Sequence, residues 1–139
     1  MILVDTNVWS ETMRPTPDPR VVAWLHAYRH QAAISTITIG ELLAGLALLP
    51  DGRGKDFLAI RVEGLIIRAR GRSYGYDEQA ARALPTIMAA RKRGGREVSK
   101  PVDAMIAAVA ASRRMAIATR NTSDFAHMGV ELINPWDVH

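Results

Sequence analysis

The chain has no cysteine among its 139 residues. That excludes disulfides and thiolate metal sites, so stability must come from packing, and it fits a reducing compartment. No apolar run approaches the ~20 residues needed to span a bilayer. The first residues run straight into a strand and an acid, unlike a secretory signal peptide. A soluble, cytoplasmic protein with no membrane contact is expected. There is no G-x-x-x-x-G-K phosphate loop and no Ser-His-Asp elbow. His26, His30, His127 and His139 show no ligand spacing as a set; His26 and His30 are four apart on one helix, with no third ligand nearby. Trp9, Trp24 and Trp136 each sit among apolar neighbours and read as core or interface rather than base-stacking platforms.

What is present is a globular composition, 48% hydrophobic and 23% charged. The length suits one domain with a real core, and no linker, repeat or low-complexity stretch divides residues 1–139. The net charge is +4. A basic body suits a polyanionic partner, although charge alone does not name one.

Strand-like and helical patterns alternate. Met1 to Asp5 is a buried strand, followed by a helix from Thr6 to Met13. Pro15, Pro17 and Pro19 enforce a loop. A helix over Arg20–His30, a strand over Ala32–Ile37 and a helix over Thr38–Leu49 follow, stopped by Pro50-Asp51-Gly52. Lys55 to Arg72 reads as helical, although Val62 to Ile67 is apolar enough to hold a short strand. Asp77 to Arg93 is a helix with Pro85 inside it, so a kink or break near Leu84 is expected. Pro101 to Arg114 is a helix opened by its proline. Met115–Thr119 and Val130–Ile133 are strands. This alternation predicts an α/β fold built on a central parallel sheet.

Four acids stand where a strand gives way to a helix or where a helix opens: Asp5, Glu41, Asp103 and Asp124. In an open parallel sheet those positions share one edge, and ligands bind there. Four carboxylates on one edge repel one another unless a cation sits among them. Oxygen-only ligands select a hard cation such as Mg²⁺ or Mn²⁺. Each acid also has a purely structural reading. Asp5 and Asp124 are good helix caps. Thr38-Ile39-Gly40-Glu41 matches the capping box. Asp103 meets the positive end of a helix dipole. Capping does not explain why all four fall on one edge, nor the hydroxyls and amides beside them. Thr6 and Asn7 follow Asp5, and Thr119 and Asn121 precede Asp124, as supports for a cation's ligands would.

Arg91, Lys92, Arg93, Arg96 and Lys100 form a basic cluster around Gly94-Gly95. It reads equally as an RNA-phosphate rim and as a solvated helix end. Arg68, Arg70 and Arg72 read as a solvated face.

These motifs resemble the PIN domain. Ile2-Leu3-Val4-Asp5-Thr6-Asn7-Val8, Ile37-Thr38-Ile39-Gly40-Glu41-Leu42-Leu43-Ala44-Gly45, Asp103-Ala104-Met105-Ile106-Ala107-Ala108 and Ala118-Thr119-Arg120-Asn121-Thr122-Ser123-Asp124-Phe125 are similar to its four ordered motifs. Asn134-Pro135-Trp136 resembles its usual close. The likeness is greatest to the VapC toxins, particularly their FitB-like branch, through Trp24-Leu25 and the turn Leu48-Leu49-Pro50-Asp51-Gly52. The resemblance implies a three-layer α/β/α PIN-like domain and a Mg²⁺- or Mn²⁺-dependent ribonuclease. It implies a homodimer, alone or within a larger toxin–antitoxin assembly, held inactive by a cognate VapB- or FitA-like antitoxin. By the same resemblance Asp5, Glu41, Asp103 and Asp124 are catalytic and metal-holding, with Thr6, Asn7, Thr119 and Asn121 in support. Two rival readings are a receiver-type phosphoacceptor, which also carries a Lys-Pro pair (here Lys100-Pro101), and a PIN-fold binding protein that cuts nothing. The first needs an acceptor Asp closing a central strand. Its candidates, Asp51 and Asp56, lie in a turn and at a helix start.

Overall fold

A computed structural model describes residues 1–96 and 100–137 of the chain; His139 lies outside them. In chain order the elements are β1 (Ile2–Val4), α1 (Thr6–Thr12), α2 (Pro19–Ala27), β2 (Ala32–Ser35), α3 (Thr36–Ala47), α4 (Arg53–Arg68), β3 (Ser73–Tyr74), α5 (Glu78–Arg93), α6 (Pro101–Ser112), β4 (Ala116–Ala118), α7 (Thr122–Phe125) and β5 (Leu132–Ile133). The strands form one five-stranded sheet in the order β3-β2-β1-β4-β5. Every pairing is parallel, with Leu3 opposite Ala33 on one side and Ile117 on the other.

Strand side chains alternate between two faces, and this divides the core. Ile2, Val4, Ala32, Ile34 and Ala118 pack against Val8, Trp9, Val21, Trp24, Leu42, Val62 and Leu65 from α1–α4. Leu3, Ala33 and Ile117 face the other way, onto Ala80, Ile87, Ala104, Ala107, Ala108 and Phe125 from α5–α7. The central strands are therefore buried on both faces, which is why they read as unbroken apolar runs. The layers are α/β/α, as the resemblance implied. Among the described residues no helix is long and apolar enough to cross a membrane.

Three local expectations are corrected. The stretch 62–67 is helical, inside α4, and the strand lies later, at Ser73–Tyr74. A two-residue edge strand with an exposed serine carries too little periodicity to announce itself. Helix α5 runs through Pro85 without a break. Proline there deprives only the carbonyl four residues back, at Ala81, which is exposed and can turn to water. Ala80, Ile87 and Arg91 meanwhile hold the other face of α5 buried. Helix α3 begins at Thr36, two residues earlier than expected, and its cap is Ser35, whose side chain accepts from the Thr38 amide.

The strand order reverses between β1 and β4, and the crevice at that switch point is where parallel sheets hold ligands. Asp5 follows the end of β1, and Thr119 follows the end of β4.

Candidate active site

A cavity of about 860 Å³ opens at this switch point. Its lining includes all four acids named from sequence: Asp5, Glu41, Asp103 and Asp124. They arrive from four elements. Asp5 caps α1, Glu41 lies in the second turn of α3, Asp103 in the first turn of α6 and Asp124 within α7.

Asp5 is the most enclosed, at 8% exposure. Its Oδ1 accepts from the Thr6 amide at 2.9 Å. Its Oδ2 accepts from Thr119 Oγ1 at 3.0 Å and from Asn7 Nδ2 at 3.3 Å. Thr119 is fully buried, and its one hydroxyl is used completely. It donates to Asp5 and accepts from Asn7 Nδ2 and the Asn121 amide. Asn7 Oδ1 accepts from the Arg120 amide, which ties the loop after β4 to α1. Asp5 is thus both a helix cap and part of an acid cluster. The two readings do not compete here.

Glu41 is different. Because Ser35 is the cap of α3, Glu41 stands too far along the helix to reach back to its first amides, and the capping-box reading is withdrawn. Its Oε1 instead accepts from Thr6 Oγ1 at 2.8 Å. Thr6 has one proton, and it is committed to Glu41. The 3.1 Å contact between the Thr6 and Thr38 hydroxyls must then use the proton of Thr38. Ser35, Thr38, Thr6 and Glu41 form a short hydroxyl chain ending on the carboxylate.

The electrostatics show the crowding. Burial, reinforced by the charges of Asp124, Asp5 and Glu41 and offset by Lys100, pushes Asp103 up to about 6. Burial also raises Asp5, against the lowering effect of the Thr6 amide and the Thr119 hydroxyl, and Glu41 and Asp124 add to the rise. Among the described residues no three acidic, histidine or cysteine side chains converge closely enough to hold a metal ion between them. The acids surround the cavity without meeting at a point.

The basic cluster divides. Arg91 is 5% exposed and turned inward. Its Nη1 donates to the carbonyls of Ser123 (3.2 Å), Asp124 (3.0 Å) and Ala126 (2.5 Å), while its Nε has no partner. A guanidinium buried under three carbonyls cannot serve as a phosphate rim; it clamps the turn that carries Asp124. Lys92, Arg93 and Arg96 are exposed but do not line the cavity. Lys100 does, with Nζ 3.4 Å from Asp124 Oδ2. Three charged residues of the cavity were not singled out in the sequence: Glu11, Arg14 and Arg120. Arg120 stands inside a quoted motif, between Thr119 and Asn121, and that was the available signal. Glu11 and Arg14 had none, because they reach the cavity from the last turn of α1 and the residues just after it, away from any strand end.

The PIN domain family model matches residues 2–131 of this chain. The chain belongs to the PIN domain family. Over 139 residues it is 39% identical to the VapC ribonuclease Y4jK of Sinorhizobium fredii, covering 99% of each chain. It is 41% identical to the toxin FitB of Neisseria gonorrhoeae over 138 residues, 98% of this chain and 99% of that one. Its fold superposes on the structure of FitAB bound to an IR36 DNA fragment with a TM-score of 0.92 and 39% identity, covering 100% of this chain and 98% of the other. The receiver-type reading falls with this. Asp51 lies in a turn and Asp56 in the first turn of α4, and neither closes a strand of this PIN domain.

Proposed function

We propose that this PIN domain is a metal-dependent endoribonuclease, the toxin of a type II toxin–antitoxin pair, restrained by a cognate VapB- or FitA-like antitoxin. The observation that carries the reading is that four carboxylates from four elements line one cavity at the sheet's switch point. The ribonuclease and toxin names of the full-length relatives agree with it.

The donor set fits a hard divalent cation, Mg²⁺ or Mn²⁺: every candidate ligand is oxygen, and burial, reinforced by neighbouring carboxylates, raises Asp103 and Asp5. Asp5, Glu41 and Asp103 would hold the ion directly or through water. Asp124 would complete the site or assist a second ion. A bound cation supplies acidification of water and charge neutralisation at the phosphoryl group. Thr119 and Asn7 fix the orientation of Asp5, and Thr6 fixes Glu41. Lys100 and Arg120 stand at the cavity wall to receive a polyanion. Hydrolysis by water breaks the P–O3′ bond and leaves a 5′-phosphate and a 3′-hydroxyl, without need of the RNA 2′-hydroxyl.

Exposed apolar side chains at Leu48, Phe57 and Ile60, around the α3–α4 turn, support a protein partner on that face. A homodimer is part of the proposal. The test is RNA cleavage by the purified protein with and without Mg²⁺ or Mn²⁺, beside Asp5→Asn. Cleavage that needs added cation and disappears in Asp5→Asn supports the reading. Cleavage in chelator removes the metal, and no cleavage of any RNA removes the nuclease.

A further inference from the structure

A second pocket, of about 340 Å³, opens off the acidic cavity and shares Glu11, Arg14, Arg120 and Trp136 with it. Its far wall is the loop Thr16-Pro17-Asp18-Pro19. That wall is firm. Glu11, 6% exposed, accepts from the Asp18 amide at 2.9 Å and from Arg14 Nη1 at 3.1 Å, pinning the loop to α1. The Asp18 carboxylate is already taken by Arg20, at 2.8 Å.

Arg120 is the unusual member. It is exposed, and no carboxylate lies within 4.0 Å of it among the described ion pairs. Its amide is anchored on Asn7, and its guanidinium lies 4.9 Å over the ring of Trp136, itself 6% exposed. A planar cation therefore sits over a largely buried indole, and both residues line the pocket. Guanidinium planes stack the unpaired bases of single-stranded RNA. A pocket of this size falls at the lower end of small-molecule sites, enough for one nucleotide and too small for a duplex.

We propose that this pocket is a nucleotide subsite, seating the nucleotide beside the scissile phosphate with its base stacked on Arg120 and its phosphate facing Arg14. The proposal deepens the ribonuclease reading and rests on it for the scissile bond. The pairing of base with Arg120 stands on its own.

The test uses probes with no phosphodiester to cut. Nucleoside 5′-monophosphates and ribose 5-phosphate are titrated into the protein, with chemical shifts of the Arg120 Nε–H and the Trp136 indole N–H as readout. The two probe types differ only in the base. Wild type should bind the nucleotides about tenfold more tightly than ribose 5-phosphate, the scale of one stacked base. Arg120→Lys keeps the charge and loses the plane, so that ratio should fall to about one while ribose 5-phosphate affinity is kept. Arg120→Gln, planar but neutral, should retain part of the base preference. Equal affinities in wild type, an unchanged ratio in Arg120→Lys, or shifts confined to other residues would overturn the subsite. If the ratio behaves as stated and wild type cleaves no RNA, the nuclease reading fails and the base subsite stands.

Discussion

Thr6 and Glu41 stand 35 residues apart in sequence and are joined by a 2.8 Å hydrogen bond, Thr6 Oγ1 donating to Glu41 Oε1. This contact replaces the backbone amide that a capping-box glutamate would take. A glutamine in its place could still accept from Thr6, and the position is exposed, so Glu41→Gln should change folding stability by no more than ~0.5 kcal/mol. It removes one negative charge from the cavity, so cation affinity and RNA cleavage should largely disappear, along with toxicity in cells lacking an antitoxin. Thr6→Val leaves the charge and removes its support, which should cost roughly 10- to 100-fold in cation affinity. Calorimetric titration with Mn²⁺ reads both. Wild-type affinity in Glu41→Gln would remove Glu41 from the site.

Mild acid should stabilise the cation-free protein. Asp103 titrates near 6 when folded and near its ordinary 3.8 when unfolded. Between those values the unfolded chain has released a proton that the folded chain keeps, so stability falls as pH rises from about 4 to 6. Asp5 is raised and acts in the same direction. Glu11 is held low by the Asp18 amide, and Asp77 by the Ala80 amide; their contributions are lost as pH falls below their ordinary values of 4.5 and 3.8, under pH 5. Thermal melts should therefore give a higher Tm at pH 5 than at pH 7, and Asp103→Asn should flatten the difference. A cation that binds only the folded form should raise Tm at pH 7, by linkage.

Arg91 bears on how much of this was legible in the sequence. The central strands were readable because burial on both faces leaves plain apolar runs, whereas the two-residue β3 was not; Asp5, Asp103 and Asp124 were readable because each lies at a strand end or a helix start. Arg91 was not. In sequence it is one cation of three in a row, Arg91-Lys92-Arg93, and helical periodicity alone does not say which of them turns inward. Burial decides it: only Arg91 faces α7. The structural alternative for Glu41, the capping box, failed for the opposite reason. A local motif was present, but the helix began two residues earlier on Ser35 and left the motif unused.

The clamp gives its own prediction. Arg91→Met would leave three carbonyls without their shared donor in a buried place, which should cost about 2–4 kcal/mol. Lys92→Gln and Arg93→Gln, both exposed, should stay within ~0.5 kcal/mol of wild type. Gly94→Ala tests the same junction independently, since a Cβ there would come within 2.5 Å of the His127 ring. It should destabilise by about 1–3 kcal/mol through overpacking. Urea denaturation of the four variants measures the series. Arg91→Met as stable as wild type would mean that the carbonyls find other donors.

Salt dependence of RNA binding separates the cationic groups that face the cavity from those that do not. Each phosphate contact to a single strand contributes roughly 0.7 to the slope of log affinity against log salt. Lys100 and Arg14 line the cavity and face the phosphates, with Arg120 under the base; Lys92, Arg93 and Arg96 do not line it. Measured on Asp5→Asn protein, which should bind without cutting, Lys100→Gln and Arg14→Gln together should flatten the slope by about 1.4. Neutralising Lys92, Arg93 and Arg96 together should leave it nearly unchanged, although that variant loses more charge. Net charge acting at a distance would give the reverse order, because it scales with the number of charges removed rather than with their place. A slope that follows the count of removed charges would return RNA binding to the basic body as a whole. A slope that responds only to Lys100 and Arg14 ties the phosphate contacts to the cavity wall.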